Sequence, residues 1–556
     1  MINRLFSAST HSLKTEIILG LIIVLAIFLR GISITDNPPA LYGDELTIAY
    51  DAYSLLKTGR DQTGQEFPLT FSMGAGRPDG YVYFSIPFVS IFGPSALGVR
   101  MLSVISGVGV VVLLFFLGRM LFSPKVGLWA AFITAVSPWE IALSRGGFEA
   151  HFALFLALVG TAFFLAAQKR AWFYLVAALS FGTAIHTYPT YKLIIPLFMA
   201  LLVWYTGGYK RLFAKGVKSF TATALVVIIF AFTISFWQTF TAGSESRFLD
   251  INVFSKRELK EEIIQRNNLQ RNINSLPGLV ATLFHNQPLE YSFIFSESYL
   301  KNFSLDFLFF HGDRNPRHNM AKMGFLYVIE LVFIPLGLVS MWRRFNRRIF
   351  TFVVSWLLIA PIAATFLGET HALRNAFMIP PLVLISSLGI AHLAYFFNQK
   401  YIKIITLILF VGFLTQFLFF VERLYFLSPN EFGNFWSYPA KLAVEKAVEN
   451  KEKFRYIILS DRIDNAEYAY QAYTKADPLL AISQFSTRST LGEYKFKKFG
   501  NVYIGSLPDK GIKNFINSLE GSILYIGSIF EKEEFKVYDT IYGKDELPAF
   551  IVIEKR

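Results

Sequence analysis

The sequence predicts a polytopic α-helical membrane protein of about eleven spans, followed by a small α/β domain at its C-terminal end. Three observations predict it. Hydrophobic residues make up 53% of the 556 and charged residues only 17%, where a soluble chain of this length carries about 25% charged. The apolar excess falls into separate blocks of about 18–23 residues, the length that crosses the hydrocarbon core as a helix. Beyond residue 425 the pattern changes to short strand-like runs alternating with helix-like ones. The mean hydropathy of +0.43 agrees. So do 59 Phe, 26 Tyr and 8 Trp, residues that suit lipid-facing and interfacial positions.

The first block, Ile17–Leu29, ends in Arg30 and lacks a small-residue cleavage site, so it is read as an uncleaved span. Further blocks lie near 96–118, 126–144, 150–167, 171–186, 190–206, 219–238, 322–341, 349–367, 375–396 and 401–421. The Tyr81–Phe92 block contains Pro87 and is stopped by Gly93-Pro94. It is too short to cross and reads as a juxtamembrane helix. In the tail, strands are expected at Tyr456–Ser460, Val502–Ser506, Ile523–Gly527 and Phe550–Glu554, with helices over Tyr438–Lys451 and Ile512–Leu519. No glycine-rich phosphate loop opens any of these helices.

The net charge of +13 comes from Lys and Arg gathered in short connections between blocks. No basic helix or stacking platform stands apart, so nucleic acid is not an expected partner. Alternate connections are basic: Arg119 with Lys125, Lys169 with Arg170, the 210–218 stretch, Arg343 to Arg348, and Lys400 with Lys403. By the positive-inside rule these loops and the N-terminus face the cytoplasm. An odd number of spans then places the tail outside. The expected division is a membrane domain over 1–424, with external loops 36–80 and 239–320, and an extracytoplasmic domain over 425–556. The expected location is the cell (plasma or inner) membrane. The chain has no cysteine, which excludes disulfides, thiolate chemistry and Cys-ligated metals.

Ionisable residues collect in the external segments. Asp44 and Glu45 follow Gly43 just beyond the first span. Leu46, Ala49, Ala52, Tyr53 and Leu56 are spaced for a helix lying on the membrane surface. Asp44 is either a first-turn or capping acid of that helix or a catalytic carboxylate. Arg145, Glu149 and His151 cluster in SRGGFEAH, where Arg145 and Glu149 either pair with each other or serve a ligand. His151 reads as a packed or hydrogen-bonded helix residue. Arg374, in GETHALRNAFMIPP with Glu369 and His371, either snorkels to headgroups or holds a phosphate. Lys192 and Arg77 pose the same choice. Acids and cations at one external face suit the displacement of a sugar from a lipid-linked phosphate. A carboxylate would take the nucleophile's proton, and cations would stabilise the leaving phosphate. A transporter of lipid-linked sugars is the alternative, but it would place ionisable groups at mid-membrane depth.

The ordered set of GDE at 43–45, SRGGFEAH at 144–151, HTYPTYK at 186–192, FSLDFLFFHGD at 303–313 and HALRNAFMIPP at 371–381 resembles the GT-C membrane glycosyltransferases. The resemblance is to the bacterial protein O-mannosyltransferase and aminoarabinose-transferase-like group, over about 17–425. It implies a GT-C-type fold and inverting transfer from a polyprenyl-phosphate sugar to a lipid, glycan or protein acceptor outside the cytoplasm. By position, Asp44 matches the family's catalytic acid, Glu149 a second acidic position, and Arg374 a basic position before a late span. Where relatives carry a Lys-Pro-Pro-Leu-like run, this chain has Gly76-Arg77-Pro78-Asp79-Gly80. The expected roles follow. Asp44 is the base and Glu149 the second catalytic acid. Glu45, Arg77, Arg145, Lys192, His371 and Arg374 are substrate-binding candidates. Asp44, Glu45 and Glu149 are a candidate oxygen site for a divalent cation, magnesium or manganese. His311, Asp313 and Arg314 are expected to serve structure.

Overall fold

The computed structural model describes residues 13–71, 77–78, 80–212, 214, 216–241, 252–366, 368–507, 511–534 and 537–556. The chain is a membrane protein. Among the described residues, five helices are long and apolar enough to cross a bilayer: Ala96–Leu121, Glu149–Ala166, Lys218–Gln238, Arg347–Thr365 and Gln399–Glu431. These coincide with five of the expected blocks. The expected blocks at 171–186, 190–206 and 375–396 are apolar helices of 10–17 residues.

The first elements position the site. Helix α1 (Leu13–Gly31) is followed by α2 (Gly43–Thr58), then by a small hairpin of β1 (Thr70–Phe71) and β2 (Arg77–Pro78). Next come α3 (Gly80–Phe92), α4 (Ala96–Leu121), α5 (Pro124–Val136), α6 (Pro138–Ser144) and α7 (Glu149–Ala166). The expected 126–144 span is in fact α5 and α6, bent by 59°. Ser137 caps α6 by accepting from the Glu140 backbone N–H, and Pro138 lacks the N–H that would continue α5. The 322–341 block also differs. Its helix begins only at Glu330, because residues before it form turns, with the Val328 N–H held by the Gln416 side chain.

Buried ion pairs lock these helices together. Arg30 of α1 donates to Glu140 and Ser144 of α6, and Glu140 also meets His151 of α7 at 2.6 Å; Arg30, Glu140 and His151 are fully buried. Arg100 of α4 is paired through both forks to Glu45 of α2 at 2.8 Å. Leaving one member of such a pair alone in the interior costs about 3–5 kcal/mol, so each pair fixes the relative placement of its helices.

The C-terminal sheet has seven strands: β3 (Tyr456–Ser460), β4 (Ser489–Leu491), β5 (Tyr494–Phe499), β6 (Val502–Gly505), β7 (Ile523–Ser528), β8 (Asp539–Tyr542) and β9 (Pro548–Lys555). Their order is β4-β5-β6-β3-β7-β9-β8, with β3 parallel to both neighbours. All four expected strands are present within a few residues, and the expected helices are Tyr438–Glu449 and Ile512–Ser518. Ile458, Phe496 and Tyr525 pack on the 512–518 side, while Ile457, Leu459 and Ile526 lie on the opposite face, which the Tyr438–Glu449 and Ala466–Thr474 helices cover. This is the strand period of two with both faces covered.

One placement corrects an expectation. Helix α2 does not lie open on a membrane surface. Leu46, Ile48, Ala49, Tyr50 and Ala52 are all buried. The helix is packed between α3 and the Ala466–Thr474 helix of the C-terminal part. The Tyr50 hydroxyl donates to the Ala476 carbonyl at 3.0 Å, and Tyr473 accepts from the Leu41 N–H at 2.9 Å.

Candidate active site

The centre of the site is Arg77. It stands on β2, directly before α3, with its side chain only 6% exposed. Among the described residues, three carboxylates surround it. Glu149, the first residue of α7, lies 3.5 Å from Nε. Asp44, in the first turn of α2, lies 3.9 Å from Nη1. Asp51, two turns further along α2, lies 3.9 Å from Nη2. Nη1 donates to the Thr47 hydroxyl at 3.1 Å. Nε and Nη2 are buried and have no hydrogen-bond acceptor among the described residues. Asp44, Thr47 and Asp51 sit at i, i+3 and i+7, so they share one face of α2.

The four groups differ in environment. Asp44 is 59% exposed on its side chain, Glu149 10% and Asp51 1%. Burial pushes the Asp51 carboxyl up from 3.8 to about 7, although Arg77 and the hydrogen bonds from Gln62 oppose it. Gln62 donates its backbone and side-chain N–H groups to Asp51 Oδ1 at 3.1 and 3.0 Å. Tyr42, buried just before α2, has its phenol pushed up by burial and then by Asp44, Glu149 and Glu45. One acid is therefore accessible, and the others are set behind the arginine.

The residues of SRGGFEAH divide between structure and site. Gly147 is required by close approach. A Cβ there would stand 2.5 Å from Val99, and its N–H donates to Glu45 Oε1 at 2.8 Å. Glu45 is thus fully buried, with both oxygens engaged by Arg100 and one also by Gly147. This corrects the reading of Glu45 as a substrate or metal ligand. Arg145 is corrected for the same reason. It is fully buried, donates to the carbonyls of Leu29, Arg30, Ile32 and Asn37, and stacks on Tyr425. It clamps the end of α1, and Glu149 turns to Arg77. With Glu45 spent, the oxygen site of Asp44, Glu45 and Glu149 loses a member, and Arg77 already lies between the other two.

The remaining candidates lie around this centre. Lys192, at the start of the Tyr191–Thr206 helix, reaches the Ser235 carbonyl at 3.4 Å. This turn is tied to Arg77's neighbourhood by the Gly80 N–H, which donates to the His186 carbonyl at 3.0 Å. His371 lies beside His318, and Arg374 acts on it electrostatically. Burial pushes the His371 imidazole down to about 3. His311 bonds the Asp306 carboxylate at the surface. Asp79 lies outside the described residues. Sequence reasoning missed Asp51 and Thr47, although their helical spacing from Asp44 was available. It also missed His318, which only the fold brings to His371.

Residues 77–237 match the family described as dolichyl-phosphate-mannose-protein mannosyltransferase, a segment that holds Arg77, Glu149 and Lys192. No curated protein matches the chain in sequence. Among solved structures, the chain is similar to ArnT from Cupriavidus metallidurans in the apo state, with 12% identity, a TM-score of 0.54 and 97% of each chain covered. ArnT bound to undecaprenyl phosphate gives 12% identity and a TM-score of 0.52, again over 97% of each chain. The Archaeoglobus fulgidus oligosaccharyltransferase in its apo form gives 14% identity and a TM-score of 0.50, over 94% of this chain and 70% of that one. At these identities the likeness to the solved structures is one of fold.

Proposed function

We propose, from the premise that the chain has the fold of the GT-C membrane glycosyltransferases, that it transfers a sugar from a polyprenyl-phosphate donor to an acceptor hydroxyl or amine. The reaction is an inverting displacement. The acceptor atom attacks the anomeric carbon, the bond from that carbon to the phosphate oxygen breaks, and its electron pair leaves with the lipid phosphate. The acceptor's proton goes to Asp44, the one accessible carboxylate of the cluster. Arg77 receives the phosphate. The observation that carries this reading is that Arg77 is buried among acids while its Nε–H and Nη2–H make no hydrogen bond among the described residues, Glu149 and Asp51 standing off at 3.5 and 3.9 Å. Two such donors match two phosphate oxygens, and charge-assisted bonds of this kind are about twice as strong as neutral ones. Glu149 holds the guanidinium in place and orients the acceptor. Arg374 and Lys192 add positive charge for the phosphate. On this reading Arg77, rather than magnesium or manganese at Asp44 and Glu149, neutralises the leaving group.

The site faces outside. The basic connections at 119–125, 169–170, 210–218, 343–348 and 400–403 belong to the cytoplasmic side of the cell membrane. The membrane domain then covers 1–424, with loops 36–80 and 239–320 outside and residues 425–556 roofing the site. Asp44, Arg77 and Glu149 lie at element ends rather than in the middle of long spans, which supports an interfacial enzyme over a transporter.

The test is a transfer assay with the full chain in detergent and a panel of polyprenyl-phosphate sugars. Asp44→Asn is expected to lower kcat by about 10²–10⁴-fold with donor binding nearly unchanged. Arg77→Ala is expected to weaken donor binding at least about tenfold. Equal turnover by Asp44→Asn and the unaltered chain would remove Asp44 from the mechanism. Movement of donor across liposomes without bond cleavage would favour the transporter.

A further inference from the structure

A second cluster lies outside the Arg77 site. Asp313 and His318 belong to the turn-rich segment after the Gln287–Lys301 helix, and His371 to the short stretch before Ile379–Ala391. One ligand-type atom from each of the three lies within 4.8 Å of the others. His318 Nδ1 is 3.0 Å from Asp313 Oδ2, and the His318 and His371 ring centroids are 4.7 Å apart.

The carboxylate is held in place before any ligand arrives. Asp313 Oδ2 accepts from the Ala372 N–H at 2.8 Å, and Oδ1 from the Asn315 N–H at 2.9 Å. The Asn319 side chain donates to the Asp313 and His311 carbonyls and fixes the turn. A hydrogen-bonded Asp–His pair would account for His318 by itself. It does not account for His371, whose Nδ1 is buried without a hydrogen-bond partner among the described residues. An unpartnered buried ring nitrogen costs about 1–3 kcal/mol unless something binds it.

We infer that Asp313, His318 and His371 form a binding site for a divalent transition metal, with zinc as the ion the donor set fits best. Two imidazole nitrogens and one carboxylate oxygen are a borderline set. They suit zinc, whereas magnesium and calcium demand six or more oxygens. Zinc–nitrogen distances of about 2.0–2.1 Å require the three ligand atoms, now within 4.8 Å of one another, to draw together and the proton shared by His318 and Asp313 to leave. Three protein ligands leave the fourth position of a tetrahedral ion for water or an anion. Backbone N–H groups and Asn319 supply the outer support that such ligands need. Phe148, the residue before Glu149, packs edge-to-face with His318, with ring centroids 5.8 Å apart. The inference stands independently of the transfer reaction.

The experiment uses the full chain in detergent, purified through a tag without histidines and stripped with a chelator. Zinc binding is measured by competition with a chromophoric chelator, and bound metal by elemental analysis. One zinc per chain is expected. His371→Asn and His318→Asn are each expected to weaken binding at least about tenfold, while His285→Asn, outside the cluster, is not. Zinc should raise the Tm of the unaltered chain, and a still-folded His371→Asn should lose that rise. Zinc at under one in ten chains would overturn the assignment. So would affinity unchanged in both cluster variants, or tighter binding of manganese than of zinc.

Discussion

Asp51, which the sequence reading passed over, carries the most displaced carboxyl of the Arg77 cluster. Its folded value, about 7, stands above the ordinary 3.8 because burial disfavours the charge. Between about pH 4 and pH 7 the folded chain keeps a proton that the unfolded chain has released. Stability contributed by this group is therefore present at low pH, falls as pH rises through that window, and is level above it. Melting measured from pH 5 to pH 8 should show this decline, and Asp51→Asn should remove most of it. An equal slope in the variant would mean that other groups set the pH dependence. Asp44 and Arg77 were legible as residues, because GDE and Arg-Pro stand at the mouths of apolar blocks. That Glu45 and Arg145 are spent inside was not legible. Their partners, Arg100 and the carbonyls of residues 29–37, are distant in sequence or are backbone atoms.

At the scale of elements, two helices show how closely this chain packs. Glu330–Arg344 and Ile379–Ala391 approach through reciprocal glycines. A Cβ at Gly337 would stand 1.9 Å from the Ile385 carbonyl oxygen, and one at Gly389 2.0 Å from that of Phe333. Small residues let backbones touch where lipid offers no hydrophobic drive for association. Gly337→Val and Gly389→Val should each destabilise the fold by about 1–3 kcal/mol, whereas Gly20→Val, with open space around it, should be near neutral. Thermal melts in detergent check this, and an unchanged Gly337→Val would disprove the close approach. The apolar blocks themselves were legible by length. The Ser137-Pro138 break was readable too, since a capping serine before proline is a helix-start signal. The burial of α2 was not, because its cover comes from residues more than 400 positions later.

For the whole molecule, the C-terminal sheet domain and the membrane part share one continuous apolar core. Trp436 packs edge-on against Tyr42, the Arg100 guanidinium lies over the same indole, and Arg317 bridges the Tyr42 ring and the Phe435 carbonyl. The surroundings of Tyr42, just before α2, are therefore built from both parts of the chain. The proposed topology has a direct test, because the chain lacks cysteine. In intact cells, an impermeant thiol reagent should label Lys451→Cys and leave Arg343→Cys untouched until the membrane is opened. Labelling of Arg343→Cys from outside would invert the topology.

The sequence by itself determined the membrane class, the apolar blocks, the α/β character of the tail, and the resemblance on which the reaction was expected. The first three rest on local composition and periodicity, which a linear chain displays directly; the resemblance rests on the ordered motifs from GDE at 43–45 to HALRNAFMIPP at 371–381. Only the tertiary structure decided which charges are locked into close pairs outside the Arg77 cluster. Arg30, Glu45, Arg100, Glu140 and Arg145 are as polar in the sequence as Asp44 and Arg77, yet pairing inside the bundle consumes them. The physical reason is that a buried charge must be matched, and the matching partner is chosen by the packing of helices, not by neighbours along the chain.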